Sequence, residues 1–406
     1  MRVMAWSIAA LVLASAACSD DDEDTNIPPA TTSDRVVAQT DIVSDQAGAV
    51  AMDPELVNAW GLAFNPGGAA WVAATETGLT AVYDANGNHF IPSVTIPAPA
   101  SATPPSAPTG QVFNGDANAF EGDEFILVTE NGTVAGWQES DGSEAVERVD
   151  NSADEAIYKG VTIAMDSAGQ PRLFAADFHN AKIDVFDAAY APVSTTGDFS
   201  DTDMPDDFAP FNVDEVGGML IVTYAKQDED AEDDVRGAGN GFVNLFDTDG
   251  NKMARLISAG ELNSPWGVTL TPSSFGAAPN QLLIGNFGDG RIHVYTLTLP
   301  TTTTLASVTL QGALRNSNGQ DVVIDGLWAL EFATNIPGFA ADQLYFTAGP
   351  DDEEHGVFGR MQTTTLSGQA GAGGTTGAGG TTGTGGSGGI PPVGGSAGYS
   401  GSPVGM

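Results

Sequence analysis

Cysteine is almost missing from this chain: there is one, Cys18, and it lies close to the N-terminus. An internal disulfide, a cysteine-ligated metal and a dithiol redox pair are all excluded. Basic side chains are scarce as well, 13 Lys and Arg against 53 Asp and Glu, which leaves a net charge of −40. Nucleic acid is a poor partner for such a chain, because neutralising phosphate takes Lys and Arg. Anionic membrane surfaces are disfavoured for the same reason. The four histidines, His89, His179, His293 and His355, have no metal-ligand spacing. Residues 34–365 contain neither G-x-S-x-G nor a Walker loop. Beyond the first 17 residues no apolar run is long enough to span a bilayer as a helix.

Both ends differ from the middle. Met1-Arg2 makes a short charged start, residues 3–14 are mostly apolar, and small residues follow through Ala17. That is the pattern of an export signal over residues 1–17. Cys18 follows Ser15-Ala16-Ala17, which resembles a bacterial lipobox, whose cysteine is lipidated and becomes the new N-terminus. Ser15 stands where that motif usually carries Leu, and cleavage after Ala17 with free secretion is the alternative. The expectation is a cell-envelope lipoprotein that meets the membrane only through a lipid on Cys18. Residues 18–33 read as an acidic flexible tether. Residues 366–406, nearly all Gly, Thr, Ser, Ala and Pro, read as a disordered tail.

The middle, residues 34–365, repeats itself six times. An anchor phrase recurs as Ala59-Trp60-Gly61, Pro108-Thr109-Gly110, Tyr158-Lys159-Gly160, Pro210-Phe211-Asn212, Pro265-Trp266-Gly267 and Leu327-Trp328-Ala329. Periods near ~50 residues built from short strands mean a β-propeller. A second apolar strand follows each anchor. A third ends on an aromatic in every repeat: Tyr83, Trp137, Phe186, Phe246, Tyr295 and Phe358. Packing between neighbouring blades explains that column. Gly78, Gly132, Asn180, Gly241 and Gly290 precede five of these aromatics and suit hairpin turns. Fourth strands are expected over 93–96, 145–149, 252–257 and 305–310. Residues 35–43 alternate polar and apolar and are expected to close the ring as the outer strand of the last blade, since an open edge invites aggregation. The expected fold is an all-β, six-bladed propeller, monomeric and in one domain.

Two repeats, around Pro265-Trp266-Gly267-Val268 with Arg291-Ile292-His293-Val294-Tyr295 and around Ala175-Ala176-Asp177 with Lys182-Ile183-Asp184, resemble NHL-type blades. Over residues 35 to about 362 the chain resembles an uncharacterised family of exported bacterial propellers, some of which carry a PEP-CTERM sorting tail. The phrases that carry the likeness are Asn58-Ala59-Trp60-Gly61-Leu62-Ala63, Ala176-Asp177-Phe178-His179-Asn180, Asn263-Ser264-Pro265-Trp266-Gly267, Gly285-Asn286-Phe287-Gly288-Asp289-Gly290-Arg291 and Phe346-Thr347-Ala348-Gly349-Pro350-Asp351. The resemblance implies a propeller and export and brings no activity. Residues 366–406 depart from it, having no PEP-type anchor.

Candidate chemistry sits in two places. Residues 227–236 and 350–355 are acidic loops at equivalent positions in blades four and six, so they face one another across a rim or line one mouth of the channel. Asp228, Asp233, Asp234, Asp351 and Asp352 are the candidate ligands of a Ca²⁺, which takes six to eight oxygens; solvated loops are the plainer reading. Asp247-Thr248-Asp249-Gly250-Asn251 has its glycine too early for an EF-hand. Trp60, Trp266 and Trp328 open innermost strands, with Lys159 and Phe211 in the same column. Such rings suit a sugar or another flat apolar ligand at a channel mouth, or else pack between blades. His179 stands beside Asp177 and Asn180, where turn hydrogen bonding is the simpler role.

Three functions follow: a module binding a ligand, glycan or protein; a divalent-cation-dependent hydrolase similar to gluconolactonase-like propellers; or a structural surface module. The innermost column of Trp60, Thr109, Lys159, Phe211, Trp266 and Trp328 is poor in oxygen ligands. A metal would have to use Asn58, Asn212, Asn263 or Asp325, which weighs toward the non-enzymatic reading.

Overall fold

The computed structural model describes residues 36–276 and 280–364. The proposed signal peptide, Cys18, the tether and the tail lie outside the described residues. Six sheets follow one another along the chain as the blades of a propeller. Each anchor phrase lies on an innermost strand: Ala59–Asn65, Pro108–Phe113, Tyr158–Met165, Phe208–Val216, Pro265–Leu270 and Leu327–Phe332. Antiparallel hairpins then step outward through each blade. Blades one, two, four and five have four strands, the fourth being Val94–Thr95, Val146–Asp150, Lys252–Ser258 and Ser307–Ala313. Blade three has three among the described residues.

Closure follows the expected route. Val36–Ser44 pairs antiparallel with Val357–Thr364, so the N-terminal strand becomes an outer strand of blade six. Six apolar clusters hold the ring, one at each blade junction. The third-strand aromatics are their anchors: Tyr83 stacks on Phe358 of blade six, Trp137 leans on Trp71 of blade one, and Phe186 joins Val128 and Val134 of blade two. Packing therefore explains the aromatic column in blades one to five, where each ring buries its area against the preceding blade. Blade six departs from expectation, because Phe358 stands near the start of Val357–Thr364 and stacks on Tyr83 of blade one, and Met361 takes the column position against blade five.

The anchor glycines have a different cause. Innermost strands approach one another so closely around the axis that a Cβ on Gly110 would sit 2.8 Å from Gly160 Cα and 2.9 Å from Val161 N. The turn residues follow expectation in part. Gly78, Gly132 and Gly290 have φ of 68°, 78° and 69°. In blade three the left-handed residue is Ala181, not Asn180, and in blade four Gly239 takes that role instead of Gly241, because the turn is drawn out into a long loop.

Candidate functional site

Innermost strands all start at one end of the channel, the upper end. There the tryptophan column comes together. Trp60 and Trp328 stack with centroids 3.6 Å apart, Phe287 stacks on Trp328 at 3.8 Å, and Trp266 stands edge-on to both other tryptophans. Trp266 Nε1 donates to the Lys159 carbonyl, and Trp328 Nε1 donates to Asn58 Oδ1. All three rings are buried, at 5% exposure or less. They fill the upper channel with their faces engaged by one another and by Phe287, which is the packing arrangement weighed for this column. Phe211 leans against Trp328 in the same cluster.

Charged groups from four blades gather above this floor. Lys159 is 2% exposed, yet its ammonium is ion-paired to Glu130 of blade two and lies 3.5 Å from Asp233 of blade four. It also sits over the rings of Trp60 and Phe178, at 5.4 and 5.7 Å from their centroids. Burial alone would pull its pKa down; Glu130, then Asp233 and Glu353, reverse this and hold it above the usual lysine value. Glu353, from the blade-six loop, shows the opposite balance. Burial and the charges of Glu130, Asp234 and Asp233 push its carboxyl up to about 7, against the pull of Lys159. Asp234 is raised by burial, and Glu76 by burial and then Glu130.

Backbone strain helps place Glu353. Asp351, Asp352 and Glu353 are three successive non-glycine residues with φ of 56°, 53° and 69°. Such conformations persist only where the surroundings hold them, and they cluster at functional sites. Here Asn58, fully buried, donates from Nδ2 to Glu353 Oε2 at 3.0 Å. The two acidic loops do meet: Arg236 Nη1 donates to Asp352 Oδ1 at 3.2 Å, and its guanidinium lies 4.4 Å from the Phe287 ring centroid.

Of the five candidate Ca²⁺ ligands, Asp233 and Asp234 belong to this mouth. Asp352 holds Arg236. Asp228 accepts from the backbone N–H of Glu232 within its own loop, and Asp351 donates its N–H to Asp325. Asn58, Asn212, Asn263 and Asp325 are likewise engaged in hydrogen bonds within the protein. Among the described residues no three His, Cys, Asp or Glu side chains converge in metal-holding geometry. Asp177 bonds Asn180 and the Ile157 N–H, as a turn does, and His179 is not its partner. Sequence reasoning missed Glu130, Glu353 and Arg236 as members of the site, and offered Asn58 only as a metal ligand, whereas it holds Glu353. The only signal for Glu353 was its place in the acidic run 351–354.

No protein-family profile matches the chain. An uncharacterised protein of Acanthamoeba polyphaga mimivirus is 31% identical over 324 residues, which span 76% of this chain and 76% of the viral protein. A second uncharacterised protein of the same virus is 28% identical over 327 residues, covering 76% of this chain and 81% of its own length. Among solved structures, a protein of unknown function from Bacteroides thetaiotaomicron superposes with a TM-score of 0.50 at 10% identity, covering 81% of this chain and 76% of its own. At that identity the likeness concerns the fold. Both sequence relatives are viral rather than bacterial.

Proposed function

The chain belongs to the same family as the mimivirus protein that matches it at 31% identity; from the geometry of its upper mouth we propose that it is an exported β-propeller binding module whose upper mouth holds a glycan. The observation that carries this reading is the convergence of Glu130, Lys159, Asp233, Asp234, Arg236 and Glu353 on one mouth. Carboxylates accept and Arg, Lys and Asn donate, and a sugar hydroxyl does both at once. Loops of several blades meeting over a rigid ring suit binding. Export rests on residues 1–17, and anchoring on Cys18.

A glycan array probed with the full chain tests this. Retention of a defined glycan class, abolished by Asp233→Asn with Glu353→Gln, supports the reading. Retention of none, or retention indifferent to both changes, overturns it.

A second reading is a divalent-cation-dependent hydrolase of the lactonase type. The raised carboxyl of Glu353 favours it, because a general base works best with a pKa near the operating pH. A saturable rise in unfolding midpoint with Ca²⁺, reversed by chelator, together with lactone turnover, would favour this reading over the first.

A further inference from the structure

One cavity lies off the axis, at the junction of blades one and two. Its volume is about 500 Å³, within the range of small-molecule sites. Blade one walls it with Trp71, Val82, Phe90 and Pro92, and blade two with Trp137. Its surface is more apolar than polar. Two carboxylates, Glu124 and Glu139, stand in the wall, and no Lys, Arg or His does.

Trp71 is 1% exposed, and its Nε1–H has no hydrogen-bond partner among the described residues. A buried indole N–H normally has one. Trp137, in the same wall, shows the ordinary case: its Nε1 donates to the Gly142 carbonyl at 2.9 Å. Phe125 stacks on the Trp71 ring at 3.9 Å and Trp137 tilts against it at 4.7 Å, so the indole is not free to swing toward a partner. Other buried polar atoms lack partners too. None of them belongs to a residue walling this cavity, the lower channel where Asp214 and Glu331 stand, or the crevice between blades two and three.

A second observation comes from Phe90, which walls the same cavity with 50% of its surface in water. Its backbone N–H donates to the Val82 carbonyl at 2.8 Å, which fixes this residue at the lip. Single exposed apolar side chains are common, but this one borders a cavity lined by two tryptophans. We infer that the cavity binds an uncharged aromatic alcohol. Its ring packs against Phe90 and the tryptophan wall, and its hydroxyl oxygen accepts the Trp71 Nε1 hydrogen.

Other ligand classes fit less well. An aromatic carboxylate would meet Glu124 and Glu139 with no cation to offset them. A plain hydrocarbon would leave the Trp71 donor unpaired in a dry setting. An ammonium only donates, so it offers the indole nothing. A sugar would bring several hydroxyls to a surface that is mostly apolar. A single hydroxyl on an aromatic ring accepts from Trp71 and keeps a proton to give to a wall carboxylate. This site shares no residue with the upper mouth, and the inference does not depend on what that mouth binds.

The test is calorimetric titration of the full chain with 4-ethylphenol at about pH 7, where a phenol is uncharged. Ethylbenzene is the match without the oxygen, and 4-ethylbenzoate is the anionic match. The expected result is saturable 4-ethylphenol binding, at least ~10-fold tighter than that of ethylbenzene, and no binding of the benzoate. Trp71→Phe keeps a ring against Phe125 but removes the N–H. It should lower 4-ethylphenol to the affinity of ethylbenzene and leave ethylbenzene unchanged, a split that lost packing alone would not produce. Phe90→Ala, at the exposed lip, should weaken both ligands, and it keeps the test open if the core variant folds poorly. Absent 4-ethylphenol binding, equal binding of ethylbenzene by the parent, or 4-ethylphenol binding that either variant leaves intact overturns the inference. Loss of binding on Asp233→Asn with Glu353→Gln would assign the phenol to the upper mouth and overturn it too.

Discussion

Lys159 keeps its charge inside the protein because Glu130 and Asp233 stay with it. Replacing it with Met would leave three carboxylates facing one another over an aromatic floor. Breaking a buried pair costs about 3–5 kcal/mol. Glu130 is 28% exposed and can regain water, so the loss for Lys159→Met should fall near ~3 kcal/mol or below by urea unfolding. Glu331 makes a prediction of opposite sign. Its folded pKa of about 7 lies above the ordinary value near ~4.3. The folded state thus holds the proton more tightly. This contribution to stability is complete below about pH 4 and is lost as pH rises through about 7. Glu331→Gln should therefore raise stability above pH 7 by on the order of 1–3 kcal/mol and change little near about pH 4, as melting midpoints across pH would record. Such residues were mostly illegible in sequence. Asp214 and Glu331 look like ordinary polar positions of alternating strands, and only ring closure reveals that those positions face a channel.

Elements were far more legible, for a physical reason. Blade stacking imposes one contact geometry around the ring, so the same residue types return at the same places: an anchor at the axis in every blade, and in blades one to five an aromatic on the third strand that faces the preceding blade. Loops escape that constraint, which is why Ala181 replaces Asn180 as the left-handed residue and why blade three lacks a fourth strand among the described residues. The axial glycines carry the sharpest element-scale prediction. With Gly160 Cα 2.8 Å from where its Cβ would lie, Gly110→Ala must push two blades apart. Overpacking of this kind costs about 1–3 kcal/mol, seen as a lower urea midpoint at unchanged slope. An unaffected midpoint would mean that the strands have room to spare.

At the scale of the whole molecule, Val36–Ser44 joins the chain's start to Val357–Thr364. Without residues 36–44 the last strand of blade six becomes an open edge, which templates pairing with other chains. The truncated protein should self-associate in light scattering and lose its single cooperative melt; a monomeric, sharply melting truncation would argue against closure by this strand. The closed ring also gives the protein a channel with two unlike ends: an acidic, strained upper mouth around Lys159 and Glu353, and a lower cavity lined by Asp214 and Glu331, with the tryptophan cluster between. The functional account depends most on the first of these. Its most direct test is calorimetric titration of an array-selected glycan into the parent, Asp233→Asn with Glu353→Gln, and Asp214→Asn. The account predicts at least a ~10-fold loss of affinity in the upper-mouth variant and none in Asp214→Asn. Unchanged affinity in the upper-mouth variant would contradict it.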